Sequence, residues 1–268
     1  MNLLFSIDRG CAALLLSCLK SISANGGSSH YDAYVFCSNL DAETRADIQS
    51  MIPGSVSLQF VHVDSRLFAG FPTFKRYPVQ IYFRLAAAGL LPASMDRILY
   101  LDVDTVIINS LSTLYNLDFE GNLFMACTHT QELLTKANRA RLGIKNDAPY
   151  INTGVMMMNL ERLRRELDMD AIRTYAQEHT SALLLPDQDI LTALYGDRVK
   201  LLDSMIYNLS DRLLTLYNAN PKNEKRGLGW VRENSVIIHY YGRNKPWKRR
   251  YYGILDVFYQ EYRVQYRK

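Results

Sequence analysis

Two aspartates one residue apart, Asp102 and Asp104, interrupt the otherwise greasy stretch RILYLDVDTVIIN at 97–109. In an extended segment residues i and i+2 project from the same face, so the two carboxylates are expected to point together. They repel unless a cation joins them. Hard divalent ions prefer oxygen ligands, and Mg²⁺ or Mn²⁺ commonly uses one or two protein carboxylates while a substrate's phosphates supply the rest of the shell. An isolated D-x-D more often describes two acids that cap a turn or face solvent, so its context decides.

Part of that context is HYYGRNKPW at 239–247. An imidazole suits Mn²⁺, and a lysine offers phosphate oxygens a compact positive charge. Taken alone, His239 reads as well as a hydrogen-bonded structural histidine. Joined to Asp102 and Asp104, it supplies a third metal ligand. Lys245 then becomes a phosphate clamp, and Gly242 lets backbone approach a ligand closely. Further along, LLPDQDILTALYG at 184–196 places Asp187, Gln188 and Asp189 at a helix start. Acids there satisfy orphan amides and the helix dipole, which accounts for one of them without any function. Amide and carboxylate oxygens together could also steady an oxocarbenium-like transition state at a sugar's reactive carbon. YINTGVMMMNL, at 150–160, sets Asn152 and Thr153 in a polar turn before Gly154. Its three methionines read as core filling within a strand.

The elements that must position these groups follow from pattern. Apolar runs of strand length recur at 3–7, 33–38, 57–63, 97–101, 122–128, 154–160 and 235–240. Helical patterns fall at 11–24, 42–50, 79–90 and 187–196, the second opening on Asp41 as a plausible N-cap. This alternation predicts an α/β fold with a largely parallel sheet, whose ligands gather beyond the carboxyl ends of the strands. Asp8 and Asp102 both sit at such ends.

Composition narrows the classes. With 268 residues, 48% apolar and 22% charged, the chain can bury a substantial core, and disorder is excluded as its dominant state. A net charge of +4 is too mild for a nucleic-acid binder, so no nucleic-acid partner is expected. The four cysteines, Cys11, Cys18, Cys37 and Cys127, lack C-x-x-C spacing and read as reduced thiols. Asp8 and Arg9 interrupt the apolar start, no basic region precedes it, and no run approaches a membrane span, so a cytoplasmic protein is expected.

Four motifs in order and spacing, YLDVDTV, NTGVMMMNL, DQDIL and HYYGRNKPW, resemble glycosyltransferase family 8, and FAGFP at 68–72 and YFRL at 82–85 extend the likeness. It covers nearly the whole chain to about Trp247. The resemblance implies a GT-A fold, a Rossmann-like mixed sheet flanked by helices, over residues 1–246. It also implies a UDP-sugar donor, Mn²⁺ with Mg²⁺ as the alternative ion, and transfer of glucose or galactose with retention to a hydroxyl of a glycan or glycolipid acceptor, as in lipopolysaccharide and cell-surface polysaccharide biosynthesis. By position, Asp102, Asp104 and His239 hold the metal, and Gly242 and Lys245 grip the diphosphate. Asp8, Arg84 and Val103 contact the donor nucleotide and its surroundings. Asn152, Asp187 and Gln188 surround the transferred sugar, and Gln188 and Asp189 stand nearest the question of a nucleophile. Two positions depart from the family pattern. Gly10 and Cys11 replace an Asn-Tyr pair whose aromatic ring stacks on the base, and THT at 128–130 replaces an acid near the donor sugar.

Two rivals remain at this stage. Haloacid-dehalogenase phosphatases also place a Mg²⁺-binding D-x-D at a strand end, but with Thr two residues after the second Asp, whereas Thr105 follows directly. The other rival is a non-catalytic sugar-nucleotide-binding module. Beyond Asn244 seven basic residues face two acidic ones, and 247–268 alternates basic and aromatic side chains. Positions 251, 254, 255, 258, 259 and 262 repeat at helical period. Such a helix either packs on the domain or lies peripherally on the inner face of an anionic membrane.

Overall fold

A strand that is apolar at consecutive positions has two faces to bury, and here the sheet is covered on both sides. The computed structural model describes residues 1–73, 78–128 and 132–266, the side chains of 132 and 133 excepted. Its strands are β1 (Asn2–Ser6), β2 (Tyr31–Cys37), β3 (Val56–His62), β4 (Arg97–Leu101), β5 (Thr105–Ile107), β6 (Phe124–Cys127), β7 (Asn152–Asn159), β8 (Val199–Leu202) and β9 (Ile237–His239). Seven form one sheet in the order β3-β2-β1-β4-β7-β6-β8, and β5 pairs with β9 in a separate ribbon. Strands β3, β2, β1 and β4 run parallel, β7 runs antiparallel to both β4 and β6, and β8 is parallel to β6. This is the mixed α/β architecture expected from the motifs.

Alternation sends Leu4, Phe36, Tyr100 and Met156 into one core and Phe5, Val35, Leu101 and Met157 into the other. The three consecutive methionines are at most 1% exposed, so they fill the interior. Helix α1 (Ala12–Asn25) covers one face, and α2 (Ala42–Met51) begins where Asp41 accepts the Thr44 N–H at 2.7 Å. A third cluster lies beneath the ribbon, where Val106, Leu209 and Ile238 meet Leu255 and Phe258 of the C-terminal segment.

All seven expected strands are present, with ends within two residues of the pattern. Two strands escape it. Three-residue β5 is continuous with the apolar run of β4, and β8 lies at the sheet edge, partly exposed and without alternation. The expected helix at 79–90 is instead a 3-10 helix, Val79–Ala86, ending in one α-turn, Ala87–Leu90. Tighter winding buries four consecutive residues, Tyr82, Phe83, Arg84 and Leu85.

The C-terminal segment forms a shorter helix than its stripe suggests, Asp256–Tyr262. Leu255 and Phe258 are 0% exposed, while Ile254 lies on the surface. Arg267 and Lys268 lie outside the described residues. Among those described, no helix is long and apolar enough to cross a membrane.

Candidate active site

The sheet changes direction of growth between β1 and β4, because β2 and β3 extend to one side and β7 to the other. A crevice opens beyond the strand ends at such a point. Asp8 follows β1 here and Asp102 follows β4, both lining a cleft of about 710 Å³. Val103, Asp104, Arg84, Asn152, Asp187, Gln188, His239, Gly242 and Lys245 line the same cleft, so the structure gathers every sequence-derived site residue except Asp189.

Asp102 and Asp104 do not share a strand face. They lie in a turn between β4 and β5, so the turn, and not two-residue alternation, brings them together. The β5–β9 ribbon then sets Thr105 opposite His239, which delivers the imidazole beside Asp104. The Asp102, Asp104 and His239 ligand atoms lie within 4.8 Å of one another.

Each carboxylate has one oxygen tied to a cation and the other turned to the imidazole. Asp102 Oδ1 accepts from Arg84 at 3.0 Å and from the Tyr100 hydroxyl at 2.8 Å, leaving Oδ2 3.7 Å from His239 Nε2. Asp104 Oδ2 accepts from the Lys245 ammonium, leaving Oδ1 3.1 Å from the same nitrogen. Burial alone would push the Asp104 carboxyl up; His239 and Lys245 outweigh it and hold the group well below the usual carboxylate range. Burial raises the Tyr100 hydroxyl, which therefore stays a donor.

His239, 1% exposed, places Nδ1 2.9 Å from Asn208 Oδ1. Asn208 anchors the ring through Nδ1 and so turns Nε2 toward the two carboxylates, which is how metal-binding histidines are oriented. Asn208 in turn donates to Asn152 Oδ1 at 2.9 Å, and Asn152 donates to Gln188 Oε1 at 3.3 Å. Gly154 closes the floor: a Cβ there would lie 2.3 Å from His239 Cε1 and 2.6 Å from Asp102 Oδ2. Two carboxylate oxygens and one imidazole nitrogen, so arranged, form a donor set that fits a divalent metal ion.

Arg84 is buried and links the parts. It donates to the Thr153 carbonyl at 2.8 Å, pairs with Asp187 at 3.3 Å and stacks on Tyr100 with its charge 4.1 Å from the ring centre. Its contacts are with the protein's own acids, so it positions Asp102 and Asp187. Asp187 also accepts from the Thr153 hydroxyl at 2.8 Å, and burial raises its carboxyl.

Asp189 points away from the cleft. Its carboxylate, 0% exposed, binds Arg141 through both oxygens, accepts from Tyr150 at 2.6 Å and takes the Leu184 and Leu185 N–H groups. The helix Pro186–Tyr195 makes this split, because successive side chains diverge by about 100°. Asp187 and Gln188 reach the cleft, and Asp189 secures the helix start.

Sequence reasoning missed Tyr100, Asn208, Ser6 and Gln80. The Ser6 Oγ and Gln80 Oε1 atoms are buried without a hydrogen-bond partner among the described residues, and both residues line the cleft. Orphaned polar atoms in a cleft wall call for a polar ligand. Cys11 lines the cleft as well, its thiol pushed up to about 12 by burial and then by Asp8. His129 and Thr130 of the THT stretch lie outside the described residues. A second compartment of about 310 Å³ adjoins the first and shares Asn152, Leu185, Gln188, Arg212 and Tyr241 with it.

A mixed sheet with an Asp-x-Asp turn beyond its switch point is the GT-A architecture. The galactosyltransferase LgtC, solved in complex with donor and acceptor sugar analogs, superposes with a TM-score of 0.83 over 98% of this chain and 95% of its own, at 24% identity. The model of glycosyl transferase family 8 matches residues 2–250, and the chain belongs to that family. It is 26% identical over 253 residues to a lipopolysaccharide 1,2-glucosyltransferase of Escherichia coli, covering 92% of this chain and 73% of that protein. A lipopolysaccharide 1,3-galactosyltransferase of Salmonella typhimurium is 24% identical over 255 residues, covering 92% and 72%. The chain is thus a glycosyltransferase, and the phosphatase and non-catalytic readings of its D-x-D fall away.

Three substitutions test the geometry. Gly154→Ala forces His239 and Asp102 apart, and displacement near 1 Å costs about 10²-fold in function; Mn²⁺ affinity measured by calorimetry should fall steeply while the melting temperature changes little. Asp189→Ala removes a fully buried carboxylate and leaves half-buried Arg141, Tyr150 and the Leu184 and Leu185 N–H groups without that acceptor, and should cost about 3–5 kcal/mol of stability in urea unfolding. Gln188→Ala should instead leave folding intact and lower kcat more than it raises KM.

Proposed function

We propose that the chain is a retaining, Mn²⁺-dependent hexosyltransferase that moves glucose or galactose from a UDP-sugar to a hydroxyl of a glycan or glycolipid acceptor. The supporting observation is the pairing of an Asp102–Asp104–His239 cluster in one compartment with a second compartment that shares Gln188 and Asn152 as its wall. A donor held at the first presents its sugar toward the second.

Asp102, Asp104 and His239 would hold the ion, which supplies Lewis-acid neutralisation of the departing diphosphate. Lys245 and Gly242 line the same cleft, where an ammonium and a side-chain-free backbone suit phosphate oxygens. Asp8, Val103, Ser6 and Gln80 offer carboxylate, backbone, hydroxyl and amide to the nucleotide. Asp187, oriented by Arg84 and Thr153, and Gln188, oriented by Asn152, present oxygens to positive charge developing at the anomeric carbon. No free base stands ready for inversion in this set, and the leaving phosphate takes the acceptor proton on the same face.

Thermal-shift titration with UDP-glucose and UDP-galactose, with and without Mn²⁺, tests the reading. A ligand at 100 times its Kd stabilises by about 2.7 kcal/mol. Stabilisation should require Mn²⁺ and disappear in Asp102→Ala and Asp104→Ala; normal UDP-sugar binding by both variants overturns the assignment.

We also propose peripheral attachment to an anionic membrane surface through the C-terminal segment. Tyr252, Ile254 and Val257 are 74%, 45% and 40% exposed, and Lys248, Arg249 and Arg250 lie exposed just before them. Aromatic and aliphatic side chains beside basic ones suit an anionic leaflet, each charge contributing about 1 kcal/mol. The opposite side of the segment is buried, so surface substitutions test this more cleanly than truncation. Co-sedimentation with phosphatidylserine-rich vesicles should fall about 100-fold in affinity when Lys248, Arg249 and Arg250 become Ser, by roughly 1 kcal/mol per charge. Equal pelleting of both proteins removes the proposal.

A further inference from the structure

The smaller compartment is lined by Arg141 and Arg212, and no carboxylate lines it among the described residues. The two arginines differ in state. Arg141 is held from behind by both oxygens of Asp189. Arg212 lines both compartments, is exposed, and makes no ion pair or side-chain hydrogen bond among the described residues.

The position of Arg212 does nothing for its own helix. It lies in the first turn of Asp211–Ala219, where unpaired amides and the helix dipole disfavour a cation. The acid next to it brings no compensation. The Asp211 carboxylate is engaged by the Tyr251 hydroxyl and by the Ile254 and Leu255 N–H groups of the C-terminal segment. Ser210 meanwhile caps the helix through the Leu213 N–H at 3.2 Å and donates to the Tyr241 hydroxyl at 3.1 Å, fixing the backbone from which Arg212 projects. A guanidinium held at the mouth of a carboxylate-free compartment, against local electrostatics, is suited to an anion brought by a ligand.

Resting on the donor reading of the larger compartment, we infer that the acceptor is anionic: it carries a phosphate or carboxylate near the hydroxyl that receives the sugar, and Arg212 pairs with that group. Arg212 is thereby the specificity-determining residue of the acceptor side. The chemistry is a bidentate pair between the guanidinium and two oxygens of the anion. Lysine would keep the charge and lose the fork, so Arg212→Lys should retain only part of the preference.

The test uses the full-length protein saturated with UDP and Mn²⁺, so that the donor's phosphate positions are filled, at constant ionic strength. Glucose, glucose 6-phosphate and glucuronate are titrated by calorimetry into the wild type, Arg212→Lys and Arg212→Gln. A charge-assisted hydrogen bond corresponds to about 10- to 100-fold in affinity, so both anions should bind the wild type that much more tightly than glucose. The preference should shrink in Arg212→Lys and vanish in Arg212→Gln. Equal binding of the three probes to the wild type, or an anion preference that survives in Arg212→Gln, overturns the inference. So does a loss of UDP affinity in Arg212→Gln as large as the loss of anion affinity, which assigns the residue to the donor diphosphate. Failure of the wild type to bind UDP with Mn²⁺ is a separate result that removes the donor reading, and the three probes then discriminate equally well without UDP.

Discussion

The constraint that organises this molecule is the mutual repulsion of Asp102, Asp104 and Asp187 at one end of the sheet. Three acids share a partly desolvated cleft, and an uncompensated buried charge costs several kcal/mol. The chain answers with fixed cations placed to take one oxygen from each carboxylate: Arg84 for Asp102 and Asp187, Lys245 for Asp104. The remaining oxygens of Asp102 and Asp104 are left facing His239. Compensation and presentation are thus one arrangement, since the ion pairs that make the acids tolerable also aim them.

That arrangement needs backbone from distant parts of the sequence. Antiparallel β7 brings Thr153 and Gly154 alongside the end of β4, and the Asp102 N–H donates to the Gly154 carbonyl at 2.7 Å. The β5–β9 ribbon carries His239 to the D-x-D turn, and the adjoining Leu209 accepts the His239 N–H at 2.7 Å, setting Asn208 against the imidazole. Large side chains fill every layer below, yet at 154 only glycine leaves room for imidazole and carboxylate to meet.

Much of this was legible in the sequence, and for physical reasons. Strands buried on both faces leave continuous apolar runs, so seven appear in the pattern, and acids directly after such runs mark the strand ends where ligands bind. Three-residue β5 leaves no such run of its own, and without β5 the pairing that delivers His239 could not be derived. Asp102 and Asp104 were correctly grouped for an incorrect reason, since D-x-D spacing looks alike in a strand and in a turn. The run Asp187-Gln188-Asp189 shows the opposite limit: three polar neighbours on a helix point in different directions, and only the surroundings reveal that Asp189 meets Arg141 while the other two face the cleft. Asn208 carried no signal because its partners His239 and Asn152 lie far along the chain, and Tyr100 because a tyrosine within an apolar strand reads as core filling.

The C-terminal segment joins these themes, because its two sides meet different demands. On its inner side the Tyr240 hydroxyl donates to the Leu255 carbonyl at 2.7 Å, and Trp247 packs on Tyr259 with ring centres 5.4 Å apart. Gln260 reaches the Pro246 carbonyl at 3.4 Å. These contacts fall on both ends of the loop that carries Gly242 and Lys245, so the segment braces the loop whose ammonium compensates Asp104. Asp211, which fastens the segment from below, is the neighbour of Arg212 at the mouth of the smaller compartment. The same few turns therefore hold both walls of the cleft in place. Through Asp211 and the loop carrying Gly242 and Lys245, the segment thus reaches elements that line both compartments, and its packing and the geometry of the cleft are set together.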